Sequence, residues 1–196
     1  MLTYLALTVT TVSTLAAGSV AFRLRCQLRR DPLTGLGNRL ALVTAFARAR
    51  RRSPLVAVAL GDMNGFKAIN DTHGHRFGDR VLIEVAAILQ RTACRRELVV
   101  RLHGDEFAVL IPCDTPDHAA RRLDTYRAAV AALDEVDGQP ITASMALGVI
   151  TAPSESAELS ALLASADDRM YGDKHAHNST RKEQLECRSI SPAKAS

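Results

Sequence analysis

The sequence predicts an α/β protein whose mainly antiparallel sheet is covered by helices. Two observations carry that prediction. From residue 38 onward, stretches with a helical spacing of apolar residues alternate with short β-prone apolar runs. In the middle, two such runs, 98–102 (LVVRL) and 107–111 (FAVLI), flank His103-Gly104-Asp105-Glu106 and read as an antiparallel hairpin. The length of 196 residues suits one domain plus appendages.

Each element follows from its residues. Residues 1–22 carry no charge, and the next eight include Arg23, Arg25, Arg29 and Arg30. A 20-residue helix rises about 30 Å, the thickness of the bilayer hydrocarbon. Seven Ser and Thr residues dilute the segment. A membrane helix, a cleaved signal peptide and a soluble partner-binding helix all fit. The missing positive charge before the apolar run favours the membrane helix over a signal. Arginines on its C-terminal side, a basic juxtamembrane linker over 23–30, place the rest of the chain in the cytoplasm, as a single-pass inner-membrane protein.

Residues 38–52 form a helix with Leu40, Leu42, Val43, Phe46 and Ala47 at helical spacing, and terminal arginines suited to the dipole's negative end. Ser53-Pro54 breaks it. LVAVAL (55–60) is a continuous apolar run, expected as a strand buried on both faces. Residues 77–92 are amphipathic, with Val81, Leu82, Val85, Ile88 and Leu89 on one face. A helix over 115–133 opens with Asp114 or Thr115 as cap and Pro116 in its first turn. A strand over 141–150 and a helix over 159–174 complete the domain, and a polar tail from 178 is expected to be disordered.

Charge and cysteines exclude several function classes. Nine arginines and one acid, Asp31, fall within residues 1–52, so the remaining chain is mildly acidic despite the overall +4. That balance argues against a nucleic-acid groove. Cys26, Cys94, Cys113 and Cys187 are scattered without a C-x-x-C, which supports neither a disulfide framework nor a zinc ribbon.

Three acids stand at strand ends. Asp62 follows the run ending at Leu60-Gly61, while Asp105 and Glu106 lie in the hairpin turn. Neighbouring strands would converge these carboxylates at one sheet edge. There they could share divalent ions with phosphate oxygens, or they could be ordinary solvated turn acids. Between them, residues 65–79 (GFKAINDTHGHRFGD) are rich in hydrogen-bonding side chains but lack a Walker phosphate loop. An Asn with an Asp can match a guanine edge, and equally can cap helices in a polar helix–loop–helix. His73-x-His75 and His175-x-His177 lack partners for a zinc site and read as solvated.

DPLTGLGNR (31–39), DMNGFKAINDTHGHRFGD (62–79), RLHGDEF (101–107) and ADDRMYGDK (166–174) occur in that order. Together they closely resemble the GGDEF family of diguanylate cyclases, over about residues 31–174, within a GGDEF domain expected to span 31–177. The resemblance implies a cyclase-like palm, active as a homodimer, that condenses two GTP molecules into cyclic di-GMP and two pyrophosphates. It implies two divalent ions, Mg²⁺ or Mn²⁺, per active site, held by Asp62, the Met63 carbonyl, Asp105 and Glu106. Asp105 resembles the signature acid that also accepts the 3′-hydroxyl proton. Lys67 and Lys174 resemble phosphate contacts, Asn70 and Asp79 the guanine readers, and His75 a substrate-contacting histidine. His103 and Gly104 occupy the two signature glycine positions, which the resemblance places against the substrate.

Four departures qualify that resemblance. His103 replaces the first signature glycine and would be strained if that position took a positive φ. Asn64 replaces an acid not expected to bind metal, and Asn178 replaces an arginine expected on the phosphates. Cys94 and Glu97 stand where an R-x-x-D motif would bind product, so the cyclic di-GMP inhibitory site is expected to be absent. A catalytically silent module binding GTP or a protein is the alternative the first and third departures motivate.

Overall fold

The computed structural model describes residues 15–20, 23–24 and 26–189, with 175–189 by backbone alone. The expected membrane helix over 1–22 lies largely outside the described residues, among which no helix is long and apolar enough to cross a membrane. The ordered elements are α1 (Arg39–Ala49), β1 (Leu55–Met63), α2 (Phe66–His73), α3 (His75–Thr92), β2 (Leu98–His103) and β3 (Glu106–Cys113). They continue with α4 (Pro116–Ala131), β4 (Glu135–Val136), β5 (Gln139–Pro140), β6 (Met145–Pro153) and α5 (Leu159–Ser189). Four strands pair antiparallel throughout in the order β2-β3-β1-β6. The antiparallel, helix-covered sheet expected from the sequence is thus present.

Strand β1 sits inside the sheet, and its apolar run explains why. Val56, Ala57, Val58 and Ala59 are each fully buried, because alternate residues enter separate cores on the two faces. Ala57 and Ala59 pack with Val81, Val85 and Leu89 of α3 and Tyr126 and Val130 of α4. Val56, Val58 and Leu60 pack with Leu42 and Phe46 of α1 and Leu162, Ala166 and Met170 of α5. The result is a helix–sheet–helix sandwich with β1 as its axis.

Several boundaries differ from the expected ones. Gly61 and Asp62 lie inside β1 rather than beyond it, because they stay paired with Phe107 and Glu106 on one side and Leu147 and Ala146 on the other. The hairpin turn is two residues, Gly104-Asp105, since His103 pairs with Glu106. Strand β6 starts at Met145 instead of Ile141 and runs to Pro153, in register with all of β1. A small hairpin, β4–β5, turns at Asp137-Gly138, where both residues have positive φ (50° and 76°). Helix α5 continues through 178–189, where a disordered tail was expected. No Gly or Pro interrupts the chain there, and Arg181, Lys182, Glu183, Gln184 and Leu185 are good helix formers.

A buried ion pair joins the start of β2 to α4. Glu97, only 3% exposed, accepts from Arg122 Nε at 2.7 Å, Tyr126 Oη at 2.8 Å and the Cys94 amide at 2.8 Å. Burial pushes the Glu97 carboxyl up, but these hydrogen bonds outweigh it and hold the group below its ordinary range. The stabilisation is therefore complete above the unfolded-state pKa and drains away as pH falls through the lower folded value. Glu97→Gln is expected to cost about 2 kcal/mol at pH 7 and progressively less in acid, measured by urea unfolding across pH.

Candidate active site

The site forms where β1, the β2–β3 turn and the second half of α5 meet. Asp62 of β1 stands directly opposite Glu106 of β3, which stands opposite His103 of β2. Directly paired residues share a sheet face, so the three side chains form one row across three strands. Asp105 occupies the turn beside them. Burial raises its carboxyl pKa, and the nearby Asp62 charge raises it further. Lys174 reaches back from α5 to place Nζ 2.7 Å from Asp62 Oδ1.

Two side-chain systems hold this geometry, and neither was assigned a role from sequence. Arg101 donates from Nε to the Gly104 carbonyl at 2.8 Å and from Nη1 to Asp31 Oδ1 at 3.0 Å. Asp31 also accepts from the Thr34 amide and hydroxyl at 2.8 and 2.7 Å. The 31–39 motif thus braces the signature turn through Arg101. On the opposite side, Asp173 Oδ2 accepts from the Leu147 amide and from Arg127 Nη2, both at 3.1 Å. Asp173 thereby satisfies a donor on the sheet's edge strand and fixes the helical turn that carries Lys174.

His103 departs from expectation in a useful way. Gly104 takes the left-handed φ of 51°, whereas Asp137 is the only non-glycine with positive φ among the described residues. The strain considered for His103 is therefore absent, because the residue belongs to β2 rather than to the turn. Its side chain is 71% exposed, with Nε2 3.2 Å from Glu106 Oε2.

The remaining predicted residues lie on the α2–α3 hairpin that follows β1. Met63, buried, ends β1; Lys67 lies in the first turn of α2 and Asn70 near its end. His75 opens α3 and Asp79 is one turn further, both exposed. Asn64 is tied to Ser144 through Nδ2 to Oγ at 3.0 Å. Gly78 of α3 lies directly against Asn70 of α2. A Cβ built there would lie 1.9 Å from Asn70 Oδ1, a buried atom with no hydrogen-bond partner. Gly78 is a positioning residue the sequence reading missed, since the two helices must be packed before its role is visible. Gly78→Ala is expected to push the Asn70 amide from its buried position and cost about 1 kcal/mol of stability, read by urea unfolding.

The donors fit a divalent ion completed by a bound ligand. No three His, Cys, Asp or Glu side chains among the described residues make a self-sufficient metal site. Asp62 and Glu106 nevertheless face each other, Asp105 feels the charge of Asp62, and the Lys174 ammonium sits on Asp62 as a cation would. Such an arrangement suits a hard ion that takes further oxygens from phosphate, water and the Met63 carbonyl.

Comparisons with known proteins agree with this geometry. Residues 28–180 match the family described as diguanylate cyclase, GGDEF domain. The chain is 37% identical over 158 residues to an uncharacterized 19.3 kDa protein in the repSA 5′ region of Streptomyces ambofaciens, covering 80% of this chain and 84% of that one. It is 35% identical over 151 residues to diguanylate cyclase DgcP of Pseudomonas aeruginosa, covering 74% of this chain but 22% of that much longer protein. A crystal structure of a sensory box/GGDEF family protein from Caulobacter crescentus superposes with a TM-score of 0.70 at 35% identity, covering 76% of this chain and 99% of that one. The chain belongs to the GGDEF family of diguanylate cyclases.

Proposed function

We propose that this chain is a membrane-anchored diguanylate cyclase that condenses two GTP molecules into cyclic di-GMP and two pyrophosphates. The observation that carries the reading is the row of Asp62 and Glu106 beside Asp105, with Lys174 on Asp62, in a chain of this family. Asp105 accepts the proton of one GTP's 3′-hydroxyl. That oxygen bonds to the α-phosphorus of the facing GTP while the bond to pyrophosphate breaks, and the step repeats in the other direction. Lys174 leaves Asp62 for the phosphates, and Lys67 adds a second fixed cation against the developing charge. Asn70 and Asp79 hold the guanine edge, His75 contacts the substrate, and Gly104 lets the turn approach it closely. Two Mg²⁺ or Mn²⁺ ions, when bound by Asp62, Asp105, Glu106 and the Met63 carbonyl, lower the 3′-hydroxyl pKa and neutralise the leaving pyrophosphate.

Each protomer holds one GTP, so turnover requires a homodimer. Residues 1–22 serve as the membrane span and 23–30 as a basic linker, leaving the 31–177 cyclase domain on the cytoplasmic side of the inner membrane. Product inhibition at the R-x-x-D position is absent. Cys94 supplies no cation there, and Glu97 is already occupied by Arg122 and Tyr126. The mildly acidic body argues against a nucleic-acid polymer as partner.

The decisive test is incubation of the purified full-length chain with GTP and Mg²⁺, with product detection by mass spectrometry. Cyclic di-GMP is the expected product. Its absence from a demonstrably dimeric sample would overturn the cyclase reading. Retained GTP binding would then establish the silent nucleotide-binding module, for which the replaced glycine at His103 is the motivation.

A further inference from the structure

We propose that His103 is a metal ligand, which with Glu106 gives this cyclase a nitrogen–oxygen donor pair that favours Mn²⁺ over Mg²⁺. The proposal rests on the metal-dependent reading of Asp62 and Asp105 above and concerns the residue that replaces the signature glycine. Register places His103, Glu106 and Asp62 opposite one another on β2, β3 and β1, so the imidazole continues the row of carboxylates on the same face. Its Nε2 lies 3.2 Å from Glu106 Oε2. Two donors bound to one ion at about 2.1 Å stand about 3.0 Å apart in cis-octahedral positions and about 3.4 Å apart in tetrahedral ones. The observed separation falls between these, so the spacing admits one ion bound to both atoms.

Access and backbone both allow it. β2 is an edge strand, and the side chains of His103 and Glu106 are 71% and 31% exposed, open to an incoming ion and a nucleotide. His103 keeps an ordinary strand φ, so no strain would pull the ring from this position. The chemistry then sets the preference. Mg²⁺ seeks hard oxygen donors and parts reluctantly with water, whereas imidazole suits the first-row transition ions. A glycine at this position leaves an all-oxygen site, while His103 adds a nitrogen.

Pulsed EPR of Mn²⁺ tests this on the full-length chain with a non-hydrolysable GTP analogue present. ¹⁴N coupling from a directly bound imidazole is expected in the parent protein and its loss in His103→Gly. The Mn²⁺-to-Mg²⁺ affinity ratio should also fall about tenfold in the variant. His103 is solvent-facing, so the variant should fold, which circular dichroism checks. Coupling that persists in His103→Gly, or an unchanged affinity ratio, overturns the proposal. Asp105→Asn separates the two levels. If Mn²⁺ binding weakens in Asp105→Asn but the parent shows no nitrogen coupling, the histidine proposal fails and the metal reading stands. If the parent binds no Mn²⁺, both fail.

Discussion

Gly148→Ala is expected to destabilise the domain by about 3 kcal/mol, at the upper end of what overpacking costs, and to separate Lys174 from Asp62. Gly148 lies on β6, where α5 crosses the sheet. A Cβ at this position would lie 2.3 Å from the Ala166 carbonyl oxygen and 2.4 Å from the Met170 amide nitrogen. Both are backbone atoms of a helix, so no rotamer change relieves the clash. The helix itself must retreat by about 1 Å to restore ordinary contact. Ala166 and Met170 are buried in the core, and Lys174 lies one helical turn beyond Met170, so the retreat reaches the site directly. Gly61 is the informative control. Its added Cβ would meet Leu147 Cδ2 at 2.6 Å and Met145 Sδ at 2.7 Å, side-chain atoms with freedom to move. Gly61→Ala should therefore cost distinctly less than Gly148→Ala. Urea unfolding of both variants checks the order, and a loss below about 1 kcal/mol for Gly148→Ala would contradict the argument.

What the sequence disclosed follows from the range of its interactions. The run of residues 55–60 announced a strand buried on both faces because all six side chains are apolar, and β1 is that strand. The face of α3 was legible because the spacing of Val81, Leu82, Val85 and Leu89 matches the core they enter. The exact place of Asp62 was not legible. Gly61-Asp62 has the composition of a loop, and it stays in the sheet only because Phe107 and Leu147 continue the pairing on either side. Gly78 and Gly148 matter through atoms of other elements, so no local pattern marked them. The Asp137-Gly138 turn, by contrast, was a readable hairpin signal that the larger strand at 141–150 obscured. The conformation of His103 was not legible because the length of the turn decides which residue takes the positive φ. With a two-residue turn, the positive φ passes to Gly104 and the histidine becomes a strand residue facing Glu106.

On the proposed cyclase reaction, Asp105→Asn is expected to slow cyclic di-GMP formation about 10³-fold while leaving the protein as stable as before or more so. The two effects have one cause. Burial and the charge of Asp62 both disfavour the Asp105 carboxylate and raise its pKa. A group with a raised acidic pKa costs the folded state stability once pH exceeds its unfolded value, so removing the charge relieves a penalty at pH 7. Asparagine keeps the shape of the turn, which Arg101 holds through the Gly104 carbonyl rather than through Asp105. Catalysis loses what stability gains. In the proposed reaction the variant loses one of three carboxylate metal ligands and the acceptor for the 3′-hydroxyl proton, and a loss of about 4 kcal/mol in transition-state stabilisation corresponds to about 10³-fold in rate. A melting temperature at or above that of the parent, together with turnover reduced by that factor, is the combination to measure. A markedly lower melting temperature would show that Asp105 supports the turn, and retained turnover would remove it from the chemistry.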